Sequence, residues 1–272
     1  MAEPGLDDQI DLQAAADRLG VHYQTAYRWV RSGKLAAQLI DGSYRINPAE
    51  LDALETRRRT PAAHRPPSGE RLERQSRRMH DALVDGDETS VRRIASRLLE
   101  EGTPIIDLIE GVIVPPLREI GTAWHNGELS IWVEHRASAI VERVLGEIAP
   151  NPRGRRRGRV VVAAVSGDLH SLPTTMAAVG LRDDNWHVDH LGADMPPEEL
   201  LDYCASNEVD AVVLSSTNPE TAPLAESTAT ELRASGTAAI VGAPGSTLLQ
   251  LQVEARSVVA AHADAALAAT AR

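Results

Sequence analysis

The sequence predicts a multi-domain protein of the α and α/β classes, with a winged helix-turn-helix, a four-helix bundle and a Rossmann-like parallel sheet in that order. Residues 1–56 carry a helix, turn, helix, hairpin and helix pattern, and residues 71–149 carry four amphipathic helical patterns. Over residues 160–272, β-branched strands alternate with helices, which is typical of βα units. The stretches at 57–70 and 150–159, rich in proline and arginine, are predicted linkers.

The N-terminal pattern begins with Asp11, an N-cap type of residue, before a short helix, and a second helix runs through 25–31. A hairpin around an Asp-Gly turn at 41–42 follows, and Asn47 with Pro48 begins another helix. This order resembles the excisionase-type and MerR-type DNA-binding domain, and the alternative is a small helical domain that binds protein. The resemblance implies that the second helix enters the major groove of a double-stranded operator. The residues that would meet DNA are Gln24, Thr25, Arg28, Arg31, Lys34 and Arg45.

The second segment is predicted to be helical throughout. Short glycine-containing connections favour antiparallel neighbours, as in a four-helix bundle. Pro115 and Pro116 fall inside the third helical pattern and predict a kink there. The four patterns cover 71–84, 87–101, 104–125 and 129–148.

The last segment opens on a continuous apolar run at 160–165, which is typical of a parallel strand covered on both faces. Ligands of open α/β sheets bind in the crevice beyond the carboxyl ends of the strands. Asp168 and His170 follow this strand, and a carboxylate beside an imidazole is the usual arrangement of a metal-ligating histidine. Further strands are predicted at 186–191, 210–215 and 238–242, and helices near 172–183, 196–207, 220–235 and 247–269.

Asp168, His170 and the later segment 187–196 resemble the cobalamin-binding Rossmann-like domain. The resemblance implies that His170 replaces the cofactor's own base as the lower axial ligand of cobalt, with Asp168 behind it. The family pattern is Asp-x-His-x-x-Gly, and this chain departs from it because Pro173 stands at the last position. The residues that would surround the nucleotide tail of the cofactor are Ser215, Ser216, Thr217, Gly242 and Gly245.

Trp124 and His125 close the third helical pattern, and Glu134 and His135 follow ten and eleven positions after the tryptophan. This spacing and the order of the domains resemble the light-sensing transcriptional repressors of the CarH and LitR type. The resemblance implies that Trp124 packs over the upper axial 5′-deoxyadenosyl group, with Glu134 and His135 close by. It also implies that His125 binds cobalt after light breaks the cobalt–carbon bond. A helical hairpin with an aromatic core residue is the alternative.

Composition restricts the class of protein further. Apolar residues make up 43% of the chain, and no apolar run is long enough to span a bilayer, so we expect no membrane contact. The N-terminus carries no secretory pattern, and the single Cys204 excludes an intrachain disulfide, which together predict a cytoplasmic protein. Residues 160–272 carry 4 basic and 15 acidic side chains and so contribute −11, the whole net charge of the protein. Because that segment repels phosphate, we expect DNA contacts in the N-terminal part.

These observations and resemblances predict a non-enzymatic, DNA-binding transcriptional regulator that depends on adenosylcobalamin and responds to light. Loss of the adenosyl group and recruitment of His125 would shift the bundle, change the state of a homo-oligomer and alter DNA affinity. One alternative is a corrinoid protein that carries methyl groups for a partner enzyme. Another is a photoreceptor that uses a second chromophore, such as a bilin.

Overall fold

The structure is a computed structural model and describes residues 9–18, 26–27, 29–30, 35–40, 43–51, 69–152, 154–242 and 245–270. The chain forms two compact units, residues 1–66 and 67–272. No helix in the described ranges is both long and apolar enough to cross a membrane.

The first unit contains a three-stranded antiparallel sheet and a helix. Its elements are β1 (Ile10–Asp11), α1 (Leu12–Arg18), β2 (Gln38–Ile40) and β3 (Ser43–Ile46), and the strand order is β1-β3-β2. The predicted hairpin is confirmed by the β2–β3 pairing, whereas the pairing of β1 with β3 was not predicted. The carboxylate of Asp11 accepts a hydrogen bond from the Ala14 amide at 2.8 Å, so it caps α1 as expected.

The predicted DNA-facing surface is described only in part. Residues 26–27 and 29–30 are helical, and residues 48–51 form the helix that Asn47 caps through the Ala49 amide at 2.9 Å. Arg45 is exposed on β3. The other predicted DNA contacts, Gln24, Thr25, Arg28, Arg31 and Lys34, lie outside the described residues.

The second unit begins with a helical part in which the third predicted helix is interrupted. Pro115 and Pro116 lie in the first turn of its last piece and have no N–H to donate to an α-helical ladder. The chain therefore widens just before them into a π-helical turn, in which the Val114 amide donates to the Ile109 carbonyl. The elements are α2 (Gly69–Asp85), α3 (Glu88–Glu100), α4 (Ile105–Leu108), the π segment (Ile109–Ile113), α5 (Val114–His125) and α6 (Ile131–Ile148).

The rest of the unit is a parallel sheet covered by helices on both faces, as predicted. The strand order is β5-β4-β6-β7, and all neighbouring pairs are parallel. Alternate residues of the central strand enter opposite layers: Val160 and Val162 pack with α7 and α10, and Val161 and Ala163 pack with α8 and α9. The elements are β4 (Arg159–Val165), α7 (Ser171–Asp183), β5 (His187–Met195), α8 (Pro197–Ser206), β6 (Ala211–Ser215), α9 (Ala222–Ala234), β7 (Ala238–Gly242) and α10 (Leu248–Thr270).

The basic segment before β4 was expected to be a flexible connector, but its described residues are hydrogen-bonded. The Arg157 amide donates to the Asn185 carbonyl at 3.2 Å, and the Arg157 side chain donates to the Asp184 carbonyl at 2.7 Å. The side-chain amide of Asn185 in turn donates to the backbone carbonyl of Arg155 at 3.0 Å. The helical part and the sheet thus belong to one compact unit, and the predicted domain boundaries within it stay predictions.

Candidate functional site

A cavity of about 1400 Å³ lies between the helical part and the carboxyl ends of the sheet strands. Pockets for drug-sized ligands occupy roughly 300–1,000 Å³, so this cavity suits a larger ligand. Side chains of the helical part and α7, many of them apolar, form much of its wall, and the loops after β4, β6 and β7, the ends of β6 and β7 and the first turns of α10 form the rest. The apolar wall includes Ile109, Val114, Leu117, Ile120, Leu172 and Met176.

His170 lies at the floor of this cavity, on the loop that leaves β4. Its Nδ1 atom is 2.7 Å from the Oδ1 atom of Asp168, and 62% of its side chain is exposed. With Nδ1 facing the carboxylate, Nε2 is the ring nitrogen that can bind a ligand or a metal. A buried carboxylate that fixes the tautomer of an exposed imidazole is the outer-shell arrangement of metal-bound histidines.

Asp168 is fully buried, and its carboxylate collects several donors. The backbone amides of Thr217 and Asn218 donate to its Oδ2 atom at 3.1 and 3.3 Å, and the His170 amide donates to Oδ1 at 3.2 Å. Burial alone would raise the pKa of Asp168, but the hydrogen bonds from His170 and from these amides hold it below its ordinary value. The carboxylate therefore stays charged and connects the loop after β4 to the loop after β6.

Pro173, at the position where the pattern that this sequence resembles has glycine, does not interrupt α7. It is the third residue of the helix, and the first four amides of a helix have no partner within it. A proline at this position loses no intrahelical hydrogen bond. Pro173 lines the cavity, as His170 does, and the backbone of α7 is helical at this position.

Part of the cavity wall comes from the helical hairpin of α5 and α6. Trp124 lines the cavity with 42% of its surface exposed, and Glu134 and His135 line it as well. The Glu134 carboxylate contacts His135 Nδ1 at 2.6 Å and accepts from the Ser138 hydroxyl at 2.7 Å, which fixes its orientation. His125, one residue after Trp124, is exposed at the end of α5, and the described lining does not include it.

The predicted loop residues Ser215, Ser216, Thr217, Gly242 and Gly245 all line the cavity. The two loops that carry them are joined, because the Ser216 amide donates to the Gly242 carbonyl at 3.0 Å. A Cβ atom at Gly242 would make an ordinary van der Waals contact of 3.7 Å with the Leu214 carbonyl oxygen, whereas Gly245 has a φ of +94°, which favours glycine. The structure therefore brings the loop residues, His170 and the α5–α6 residues around one cavity.

Several cavity residues were missed by sequence reasoning. The charged ones are Glu110, Arg118, Glu142 and Glu254, and Leu169 is an apolar one with 74% of its surface exposed. Their positions in the sequence follow no chemical motif, and only the packing of the helical part on the sheet brings them together. Thr217 was predicted to line the cavity, but the hydrogen bond from its backbone amide to the Asp168 carboxylate was not predicted.

Comparison with known families agrees with this geometry. Residues 75–148 and residues 158–271 match two family models, each described as a B12 binding domain, and residues 10–59 match a helix-turn-helix domain. The two matched segments lie in the second unit, and residues from both of them line the cavity.

Individual relatives match about half of the chain or somewhat more. A corrinoid protein from Desulfitobacterium hafniense is 25% identical over 50% of this chain and 65% of its own length. The HTH-type transcriptional repressor CarA from Myxococcus xanthus is 30% identical over 48% of this chain and 43% of its own length. The chain thus spans between two fifths and two thirds of the length of these relatives. The monomethylamine corrinoid protein of Methanosarcina barkeri has the same fold, with a TM-score of 0.55, 17% identity and coverage of 66% of this chain and 96% of that chain.

Within the described residues, no cluster of three or more His, Cys, Asp or Glu side chains could hold a metal ion. The matches and the CarA relative support a B12-binding protein with a helix-turn-helix.

Proposed function

We propose that this chain is a cytoplasmic transcriptional regulator, not an enzyme, that binds operator DNA and responds to light through adenosylcobalamin. The observation that carries the proposal is the placement of an Asp168-oriented His170 and an exposed Trp124 around one large cavity. The N-terminal match to a helix-turn-helix domain supports the DNA-binding role.

The residues of the cavity fit a corrinoid. A single imidazole suffices as the protein's metal ligand, since the corrin ring carries nitrogen ligands of its own, and the apolar wall suits the flat ring. Bound adenosylcobalamin would supply a cobalt–carbon bond that light breaks. His170 Nε2 would bind its cobalt ion, and the loops after β6 and β7 would hold the nucleotide tail.

The α5–α6 hairpin would contact the adenosyl group of the cofactor. Trp124 would cover the adenosyl group, with Glu134 and His135 beside it. His125 is outside the described lining, so binding cobalt after illumination would require the end of α5 to move toward the cavity. Such a movement would shift the helical part against the sheet and change the state of a homo-oligomer, and with it DNA affinity.

The test uses the full chain loaded with adenosylcobalamin and a duplex selected by the dark protein from a random library. Illumination is expected to change the affinity of the wild type for this duplex, whereas Trp124→Ala and His125→Ala should reduce or abolish that change. A variant of either kind that switches like the wild type would contradict the assigned roles.

The relative described as a corrinoid protein favours a second candidate, a methyl carrier with a helix-turn-helix. A carrier should accept a methyl group on its cobalt from a partner methyltransferase, and its DNA affinity should not depend on light. Methylation without any response to light would replace the regulator proposal with this one.

A further inference from the structure

Glu110 links the helical part to the start of α10. Its carboxylate accepts a hydrogen bond from the backbone amide of Leu248, the first residue of α10. Glu110 and Leu248 both line the cavity, and the contact joins residues far apart in the sequence. A carboxylate at a helix N-terminus is favourable because it pairs with an unsatisfied amide and with the positive end of the helix dipole.

The other polar groups at the start of α10 explain why this amide needs Glu110. The Thr247 hydroxyl accepts from the Gln250 amide at 3.1 Å, and the Gln250 side chain accepts from the Thr247 amide at 2.8 Å. This reciprocal capping box satisfies the amides of Thr247 and Gln250. The amide of Leu248 lies between them and takes its acceptor from the helical part.

The π turn positions the glutamate for this contact. Ile109, Val112 and Ile113 are buried in the helical core, while Glu110 is only partly buried and faces α10. The same region is held from the other side, because the buried Gln252 side chain donates to the Gly180 carbonyl at 2.8 Å. The start of α10 is therefore fastened both to the π turn and to α7.

We propose that Glu110 is a positioning residue that holds the wall formed by the β7–α10 loop in the shape that accepts the nucleotide tail of a corrinoid. The inference deepens the proposed cobalamin function and rests on it. The lining residues of this loop include Gly242, Gly245, Ser246 and Thr247, and Leu248 directly follows them. Losing the Glu110 contact frees the start of α10 and lets this wall move, while His170, on the loop after β4, keeps its support from Asp168.

The experiment compares Glu110→Ala and Glu110→Gln with the wild type, with Glu100→Ala as a control that removes an exposed glutamate of α3. Binding is measured by absorption titration with hydroxocobalamin and with cobinamide, a corrinoid without the nucleotide tail. Glu110→Ala should bind hydroxocobalamin about tenfold more weakly and cobinamide within about twofold of the wild type. Glu110→Gln keeps an acceptor oxygen and should bind both like the wild type, as should Glu100→Ala.

Hydrogen exchange of the ligand-free chain provides a readout that does not need the cofactor. The amides at 248–251 should exchange faster in Glu110→Ala than in the wild type, and Glu110→Gln should restore their protection. Unchanged exchange in Glu110→Ala would overturn the positioning role, and so would an equal loss of affinity for both corrinoids. If no variant, nor the wild type, binds either corrinoid, the proposed function fails, while the exchange data still decide whether Glu110 holds α10.

Discussion

Replacing Asp168 with asparagine should both weaken corrinoid binding and destabilise the second unit. The Oδ1 atom of Asp168 faces His170, and the Oδ2 atom faces the backbone amides of Thr217 and Asn218. An asparagine has one acceptor oxygen and one donor NH2 group, so it can serve only one of these two sides. On the other side, the NH2 group of the asparagine faces the N–H groups that the carboxylate oxygen accepts from in the wild type. Those donors then lose their acceptor inside a fully buried site.

The size of both effects follows from this geometry. An unsatisfied buried donor costs about 1–3 kcal/mol, so the free energy of unfolding of Asp168→Asn should fall by at least about that amount. Loss of the carboxylate that orients a metal-bound histidine typically lowers metal affinity about 10- to 100-fold. We expect the hydroxocobalamin affinity to fall within that range.

The assays are absorption titration with hydroxocobalamin and denaturant unfolding, with Asp202→Asn as a control that removes an exposed carboxylate of α8. The pKa of Asp168 in the folded chain lies below its ordinary value of 3.8, so its stabilising contribution is fully present above 3.8 and is lost as pH falls through the folded value. The stability difference between wild type and variant should therefore shrink in acid. Wild-type affinity and stability in Asp168→Asn at neutral pH would refute the role of this carboxylate.

Three further predictions concern the scaffold. Hydrogen bonds from Arg143 and Arg92 lower the pKa of Glu88 from 4.5 to about 2. The stability of the wild type should therefore fall as the pH drops from about 4.5 to about 2. The melting temperature of Glu88→Gln should fall less over the same range. Leu145 is buried in the helical core, so Leu145→Ala should lower the free energy of unfolding by about 2–5 kcal/mol, measured with denaturant. Leu249 is 57% exposed, so Leu249→Ala should lower it far less. Equal losses in the two variants would contradict the assigned core. Gly86 and Gly127 have similar positive φ angles of +75° and +76°, but only a Cβ atom at Gly86 would meet another group, the guanidinium carbon of Arg136 at 2.5 Å. Gly86→Ala should therefore lower the melting temperature more than Gly127→Ala does.

The elements of the fold were largely predictable because their local patterns agree with their packing. The uninterrupted apolar residues of β4 predicted a strand buried on both faces, and both of its layers are filled by helices. The π turn at Ile109–Ile113 was not predictable in the same way. Two prolines indicate a kink, but whether a helix bends or widens there depends on how the neighbouring core residues pack.

The candidate site was predictable where chemistry depends on short spacing. Asp168 and His170 are two residues apart and meet as expected, and the loop glycines follow strands whose ends share one edge. Glu110 was missed because its partner, the Leu248 amide, lies in a distant part of the chain. The capping pattern from Thr247 to Gln250 marks the start of α10 but does not reveal which residue binds the amide between them.

The most direct test of the cobalamin switch is absorption of the full chain with adenosylcobalamin before and after green light, with molar mass measured by size exclusion in both states. We expect the spectrum to change on illumination to that of a cobalamin held by two histidines, together with a change of mass. In His125→Ala the two-histidine spectrum should not form, and in His170→Ala the cofactor should bind more weakly. A light-stable spectrum with an unchanged mass would contradict the proposed switch.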